Sequence, residues 1–249
     1  MREWETLTFA DEIQNTAEKA KSRTVLALDI ENPDPKQLLN SCIRVLDEVK
    51  EQICALKINH QLLLTLGIRT ISDLVARAHQ SSLPTIMDAK LNDVAHTNAF
   101  MMRSFLKAGF DAVIASPVPG WEGGLDSIFS LAREHDKGII LLVYMSNPGA
   151  ERLYETSMGN QSVYENFAQL GLEWKAQGLV VGGTRPEIIR RVRAAVGPKM
   201  AIYSPGIGAQ GGEAKKAVEA GATYLIVGRA IYASSTPSLA AGEINRATR

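Results

Sequence analysis

The chain has 249 residues, 45% of them hydrophobic, which suits one α/β barrel or two small domains with an ordinary buried core. Lys and Arg together number 27, and so do Asp and Glu; the resulting formal charge of zero supplies no global field to draw in nucleic acid. The opening MREWETLTFADEIQNTAEKAKSR is too charged for a signal peptide, and no stretch approaches the roughly 20 apolar residues of a membrane helix, so a cytoplasmic chain with no membrane partner and two reduced thiols, Cys42 and Cys54, is expected.

In chain order, a leading helix is predicted near Phe9–Lys21, then a first strand over Thr24–Asp29 (TVLALD) and a helix over Pro35–Lys50. Ile53–Ile58 (ICALKI) and Pro84–Lys90 (PTIMDAK) are the second and third strands, with a helix over Thr97–Ala108. Ala112–Ser116, Gly138–Tyr144 and Gly178–Gly182 follow as strands, and Pro186 opens a helix running to Ala195. The last strands are Met200–Ser204 and Thr223–Gly228, separated by a helix over Glu213–Ala220 that stops at Gly221. These runs are continuously apolar rather than alternating, the mark of parallel strands buried on both faces. Eight strand–helix units point to a closed (β/α)8 barrel, with a doubly wound open sheet as the alternative. No linker, repeat or low-complexity segment interrupts residues 1–249, so one domain is expected.

Barrels of this kind carry their chemistry where the strands end. The first strand ends in Asp29, the second carries Lys57, and the third carries Asp88 and Lys90. A single charge there can mean only that the strand has reached water, but three consecutive strands ending this way weaken that explanation. Asp88 and Lys90 are two apart, so they share a strand face. Asp93 falls in the following loop, placed either to reach back to Lys90 or to cap the next helix. Carboxylates on both sides would hold Lys90 as an ammonium, suited to protonating carbon and not to forming a Schiff base.

Ser204–Gly212 (SPGIGAQGG) and Gly228–Arg229 follow strands seven and eight, where glycine backbone N–H groups, a helix N-terminus and an arginine fork fit a phosphate. The same glycines satisfy a dinucleotide fingerprint, but too little chain follows for that fold, and no acidic residue ends the next strand. The long loop Met145–Gln161 is either a lid whose Ser146 contacts a heterocycle or a solvated insertion. His60, His79, His96 and His135 have no metal-ligand spacing and are assigned to helices or loops, none at a strand end; no metal is expected. Trp4, Trp121 and Trp174 are assigned to packing.

With these residues in place, the chain resembles the orotidine 5′-phosphate decarboxylase family, in its compact single-domain archaeal form. The resemblance spans roughly Thr24 to Tyr232 and rests on LALD ending at Asp29, ALKI around Lys57, DAKLND from Asp88 to Asp93, MSNPGA from Met145, PGIGAQGG from Pro205 and VGRAIY from Val227. It implies decarboxylation of orotidine 5′-monophosphate to UMP without a cofactor. Lys90 would protonate C6, with Asp88 against the departing carboxylate and Asp29 and Lys57 on the ribose hydroxyls. Ser146 would contact the pyrimidine, and Pro205, Gln210, Gly228 and Arg229 would complete the substrate site, the last three on the phosphate. Asp93, Val94 and Thr97 would come from the neighbouring subunit of a homodimer. Asn92 and Asn147 are small departures from the family pattern. The D-x-K-x-x-D element is shared with sugar-phosphate decarboxylases that form an enediolate and need Mg²⁺, which is the nearest rival; a non-catalytic nucleotide sensor is the rival from another class.

Overall fold

The computed structural model of the chain describes residues 8–208 and 212–249. Its barrel strands are β1 (Thr24–Leu28), β2 (Ala55–Asn59), β3 (Thr85–Leu91), β4 (Ala112–Ala115), β5 (Gly138–Tyr144), β6 (Gly178–Val181), β7 (Ile202–Pro205) and β8 (Tyr224–Val227). All neighbours are parallel, and β8 pairs with β1 to close the ring, so the barrel expectation holds and the open sheet is excluded. The helices that matter for the site are α1 (Phe9–Ala20), α2 (Pro35–Val49), α3 (His60–Gln80), α4 (Ala95–Lys107), α5 (Asp126–Glu134) and the short α6 (Ala150–Tyr154), followed by α7 (Val163–Glu173), α8 (Pro186–Val196), α9 (Ala214–Glu219), α10 (Arg229–Tyr232) and α11 (Pro237–Ala247).

Strand alternation divides the apolar residues between two cores. On β1, Leu26 and Leu28 join the outer core between strands and helices, whereas Val25 and Ala27 face the barrel interior. The interior is filled from below by α1. Thr8 caps this helix, its hydroxyl accepting from the Asp11 N–H at 3.3 Å while the Asp11 carboxylate accepts from the Thr8 N–H at 2.9 Å. Phe9 and Ile13 then enter the interior cluster as its floor. Gly138 makes room for that floor, because a Cβ there would lie 2.7 Å from the Phe9 ring.

A buried carboxylate ties the same end together. Asp111 accepts from the Thr85 N–H at 2.7 Å, the Thr85 hydroxyl at 2.9 Å and Lys137 Nζ at 2.8 Å, and His79 Nε2 lies 2.8 Å away. Burial alone would raise the Asp111 pKa, but His79 and Lys137 outweigh it and hold it at about 2.

Three expectations shift. The second strand starts at Ala55, because Lys50–Gln52 forms a 3-10 turn. The long loop after β5 is not all coil: it holds α6 and a hairpin pairing Ser157–Met158 with Gln161–Ser162. His60 is not remote from a strand end: it follows Asn59, the last residue of β2. Trp121 and Trp174 pack as expected, with ring centroids 5.3 Å apart, while Trp4 and Gln210 lie outside the described residues. Among the described residues, no helix is long and apolar enough to cross a membrane.

Candidate active site

The inward positions of the first three strands change character toward the C-terminal mouth. On β1 the series Val25, Ala27 continues to Asp29; on β2 Ala55 is followed by Lys57 and Asn59; on β3 Ile86 is followed by Asp88. The register sets Lys57 beside Ala27 and Asn59 beside Asp88, so the lysine starts one layer deeper and extends upward to the carboxylates.

The result is an alternating array of charges. Lys57 Nζ donates to Asp88 Oδ2 at 2.8 Å and to Asp29 Oδ1 at 3.4 Å. Lys90 Nζ donates to the other Asp88 oxygen, Oδ1, at 2.6 Å. Asn59 Nδ2 donates to Asp29 Oδ1 at 2.7 Å and fixes the outer end. The array lies in a gradient of burial, from a Lys57 side chain 4% exposed to a Lys90 side chain 36% exposed.

Burial disfavours the Lys57 ammonium, but Asp88 and Asp29 overcome that and raise its pKa above the ordinary lysine value. Burial likewise disfavours the Asp88 carboxylate, yet Lys57 and Lys90 hold its pKa down at about 2. The centre of the array is thus a fixed anion between two cations. Lys90 adopts a left-handed backbone, φ 44°, where the pairing of β3 with β4 slips between Met87 and Leu91. For a residue other than glycine this conformation is strained, and here it sits at a charge of the array whose side chain is 36% exposed.

The expectation that Asp93 flanks Lys90 needs correction within one chain. The Asp93 carboxylate accepts from the Val94 N–H at 2.7 Å, and its own N–H donates to Asn98 Oδ1 at 3.1 Å. The Asn98 side chain also donates to the Asp93 carbonyl, so the turn into α4 is held on both sides. Within one chain, the group flanked on both sides is Asp88, between Lys57 and Lys90. The capping alternative is only partly met, since the N-cap position is Val94 and Asp93 precedes it.

The array opens into a cleft of 460 Å³ bordered by Asp29, Lys57, Asp88, Lys90, Pro205, Gly228 and Arg229. A smaller chamber of 170 Å³ shares Lys57, Asp88, Lys90 and Pro205 and adds Ser146, with Ile114, Leu142, Val180 and Ile226 as an apolar wall. Gly206, at φ 89°, turns the chain out of β7 in a conformation that glycine adopts freely. Arg229 is exposed at the start of α10, beside Gly228 on the cleft rim. Asp93, Val94 and Thr97 border neither the cleft nor the chamber. Asn59 and His60 border the cleft but escaped the sequence reading: Asn59 is uncharged, and His60 reads as a helix residue. Lys57→Asn59 spacing along one strand face was the available signal for the first. Among the described residues, a second cavity of 460 Å³, beside α1 at the far end, has only the exposed Glu18, Lys21, Arg23 and Arg249 as charged borders and no such array.

Fold and site together define a (β/α)8-barrel enzyme with a charged chamber at the C-terminal mouth of its strands. Residues 22–244 match the orotidine 5′-phosphate decarboxylase / HUMPS family, and the chain belongs to it. It is 34% identical over 220 residues to the orotidine 5′-phosphate decarboxylase of Methanosarcina mazei, covering 88% of this chain and 92% of the relative. The crystal structure of orotidine 5′-phosphate decarboxylase from Pyrococcus horikoshii is 35% identical with a TM-score of 0.73, covering 91% of this chain and 99% of that one. Leishmania donovani UMP synthase superposes with a TM-score of 0.87 at 28% identity, covering 97% of this chain, which spans 56% of that longer protein. Helix α1 precedes the residues matched by the family.

Proposed function

We propose that this chain decarboxylates orotidine 5′-monophosphate to UMP and CO₂, in de novo pyrimidine biosynthesis, using side chains and no cofactor. The observation that carries the proposal is the Asp29–Lys57–Asp88–Lys90 array facing an apolar wall, in a member of this family. The C6–carboxylate bond breaks, CO₂ leaves, and the electron pair stays on C6. The Lys90 ammonium then gives its proton to C6 and becomes a neutral amine. Until that transfer, its charge stabilises the developing carbanion in a site organised beforehand by Asp88. Asp88 faces the substrate carboxylate as a second anion, which favours the neutral product CO₂ over the bound acid.

The remaining residues bind. Asp29 and Lys57 take the ribose hydroxyls, and Ser146 takes the pyrimidine edge across the apolar chamber. Pro205, Gly228, Arg229 and Gln210 surround the phosphate, whose binding energy serves to hold the reacting ring in place. Asp93, Val94 and Thr97 act in the site of a second copy, making the working unit a homodimer. Their position outside their own cleft and the 52% exposure of Val94 support this assignment, as does the apolar Phe100 on α4, 67% exposed.

The test is a spectrophotometric assay with orotidine 5′-monophosphate in EDTA, in which turnover is expected. Turnover abolished by chelation and restored by Mg²⁺ would move the chain to sugar-phosphate chemistry; UMP binding with no turnover in either buffer would make it a sensor.

A further inference from the structure

We infer that Arg185, outside the chamber, is a positioning residue: it pins together the two ends of the loop that carries Ser146 and so sets that serine against the bound base. The clamp follows from geometry alone, whereas its consequence for turnover rests on the decarboxylase reading.

Arg185 lies in the turn between β6 and α8, and its guanidinium reaches back to the loop that leaves β5. Nη2 donates to Glu155 Oε1 at 2.9 Å. The same oxygen accepts from the Tyr144 hydroxyl at 2.7 Å, and Tyr144 is the last residue of β5. Arg185 Nη1 donates to the Tyr144 hydroxyl at 3.4 Å and to Glu151 Oε2 at 3.3 Å, while Nε donates to Glu187. The guanidinium carbon is 5.9 Å from the centroid of the Tyr144 ring. Tyr144 precedes Ser146 and Glu155 follows it, so one side chain closes the base of the loop between them.

The neighbouring residues carry this constraint to Ser146 itself. Thr184 Oγ1 donates to the Ser146 carbonyl at 3.1 Å, and a Cβ on Gly182 would lie 2.8 Å from Ser146 Cα. The loop is therefore pressed against the same turn that holds Arg185. Of the contacts, Glu155 matters most. Its side chain and that of Arg185 are each 31% exposed, whereas Glu151 is 66% exposed and its pairing is screened by water. Without the guanidinium, Glu151, Glu155 and Glu187 lose their common cation and repel. A lysine keeps the charge but lacks the planar fork that reaches several partners at once.

Two measurements on the full chain test the inference. In Arg185→Ala, hydrogen exchange in residues 145–155 should accelerate while the barrel strands stay protected. In kcat/KM for orotidine 5′-monophosphate, Arg185→Ala should lose roughly tenfold, the scale of a displaced binding group. The same change made in Ser146→Ala should cost less than about twofold, because residues acting through one another are not additive. Arg185→Lys should restore little. Should Arg185→Ala fail to fold, Glu155→Gln removes the shared anion and should give the same exchange pattern and the same dependence on Ser146. Unchanged exchange, or equal losses with and without Ser146, overturns the inference. A wild-type chain inert toward this substrate sinks the decarboxylase reading instead, and exchange still decides the clamp.

Discussion

Asp88→Asn removes the anion at the centre of the array while nearly preserving its shape. The carboxylate makes two charge-assisted bonds, 2.8 Å to Lys57 and 2.6 Å to Lys90. Their losses are unequal. Lys90, with its side chain 36% exposed, recovers water, so little stability is lost there. Among the described residues, Lys57, 4% exposed, keeps only Asp29 at 3.4 Å as an anionic partner. Breaking a buried pair costs about 3–5 kcal/mol, and the amide oxygen still accepts one bond, which sets the expectation at about 3 kcal/mol. For a chain of this length each kcal/mol moves Tm by about 2–4 °C, so a fall of about 6–12 °C is expected.

The pH dependence checks that figure independently. Asp88 falls from 3.8 to about 2 on folding, a difference corresponding to about 2 kcal/mol. A depressed carboxylate stabilises the fold fully above its unfolded pKa and loses that contribution as pH falls toward its folded value. In urea unfolding, the gap between wild type and Asp88→Asn should therefore stay constant from about pH 8 to 5 and narrow from about pH 4 downward. A variant as stable as wild type at neutral pH, or a gap unchanged at about pH 3, would refute the account of Asp88 as an anion held by two lysines.

Asp111→Asn should also lose about 2–3 kcal/mol, with a pH dependence of the same sign, because its depressed pKa rests on His79 and Lys137. It lies at the opposite end of the barrel, so kcat/KM measured well below Tm should stay at the wild-type value; a parallel loss of activity would contradict the separation of floor and mouth. Arg229→Ala should weaken orotidine 5′-monophosphate by about tenfold or more, the worth of a charge-assisted contact, yet scarcely change a nucleoside lacking phosphate. Equal losses for both would make Arg229 structural. Lys90→Ala and Asp93→Asn, each nearly inactive alone, should on co-expression recover roughly a quarter of the wild-type sites if Asp93 serves a partner's chamber. Heterodimers confirmed by mass but showing no recovery would return Asp93 to its own chain.

Local signals made the barrel legible. Each apolar run had to be buried on both faces, and β1 through β8 lie within a few residues of their expected positions. Asp29, Lys57 and Asp88 were legible for the same reason: a charge inside such a run points inward or ends it. Lys90 and Asp93 show where spacing stops being informative. Counting residues put both carboxylates within reach of the lysine, but it says nothing of chain direction after a left-handed residue and a slip in strand pairing. The chain leaves β3 toward α4, and Asp93 goes with it. Arg185 gave no signal at all, because Tyr144 and Glu155 are 41 and 30 positions away and share no periodic pattern with it.

The charged wall is not a requirement of this barrel's folding. At comparable depth, β4, β5, β6 and β8 fill the interior with Ile114, Leu142, Val180 and Ile226, all at most 6% exposed. Those strands show that the mouth of this barrel accommodates an apolar layer. On β1 to β3 the equivalent space holds two carboxylates and two ammonium groups, whose removal from water offsets much of their mutual attraction. Replacing such a set as a whole by apolar residues of similar volume is often neutral or stabilising, so folding stability alone does not call for the array, even though removing one member from it is costly. What the charges do supply is a field that an apolar layer lacks, fixed in direction before any ligand arrives. Lys57, Asp88 and Lys90 border both the cleft and the chamber, and Asp29 borders the cleft. On the decarboxylase reading proposed above, Asp88 repels the substrate carboxylate and Lys90 beside it offers a proton, which suits a reaction that begins with a carboxylate and ends with a C–H bond.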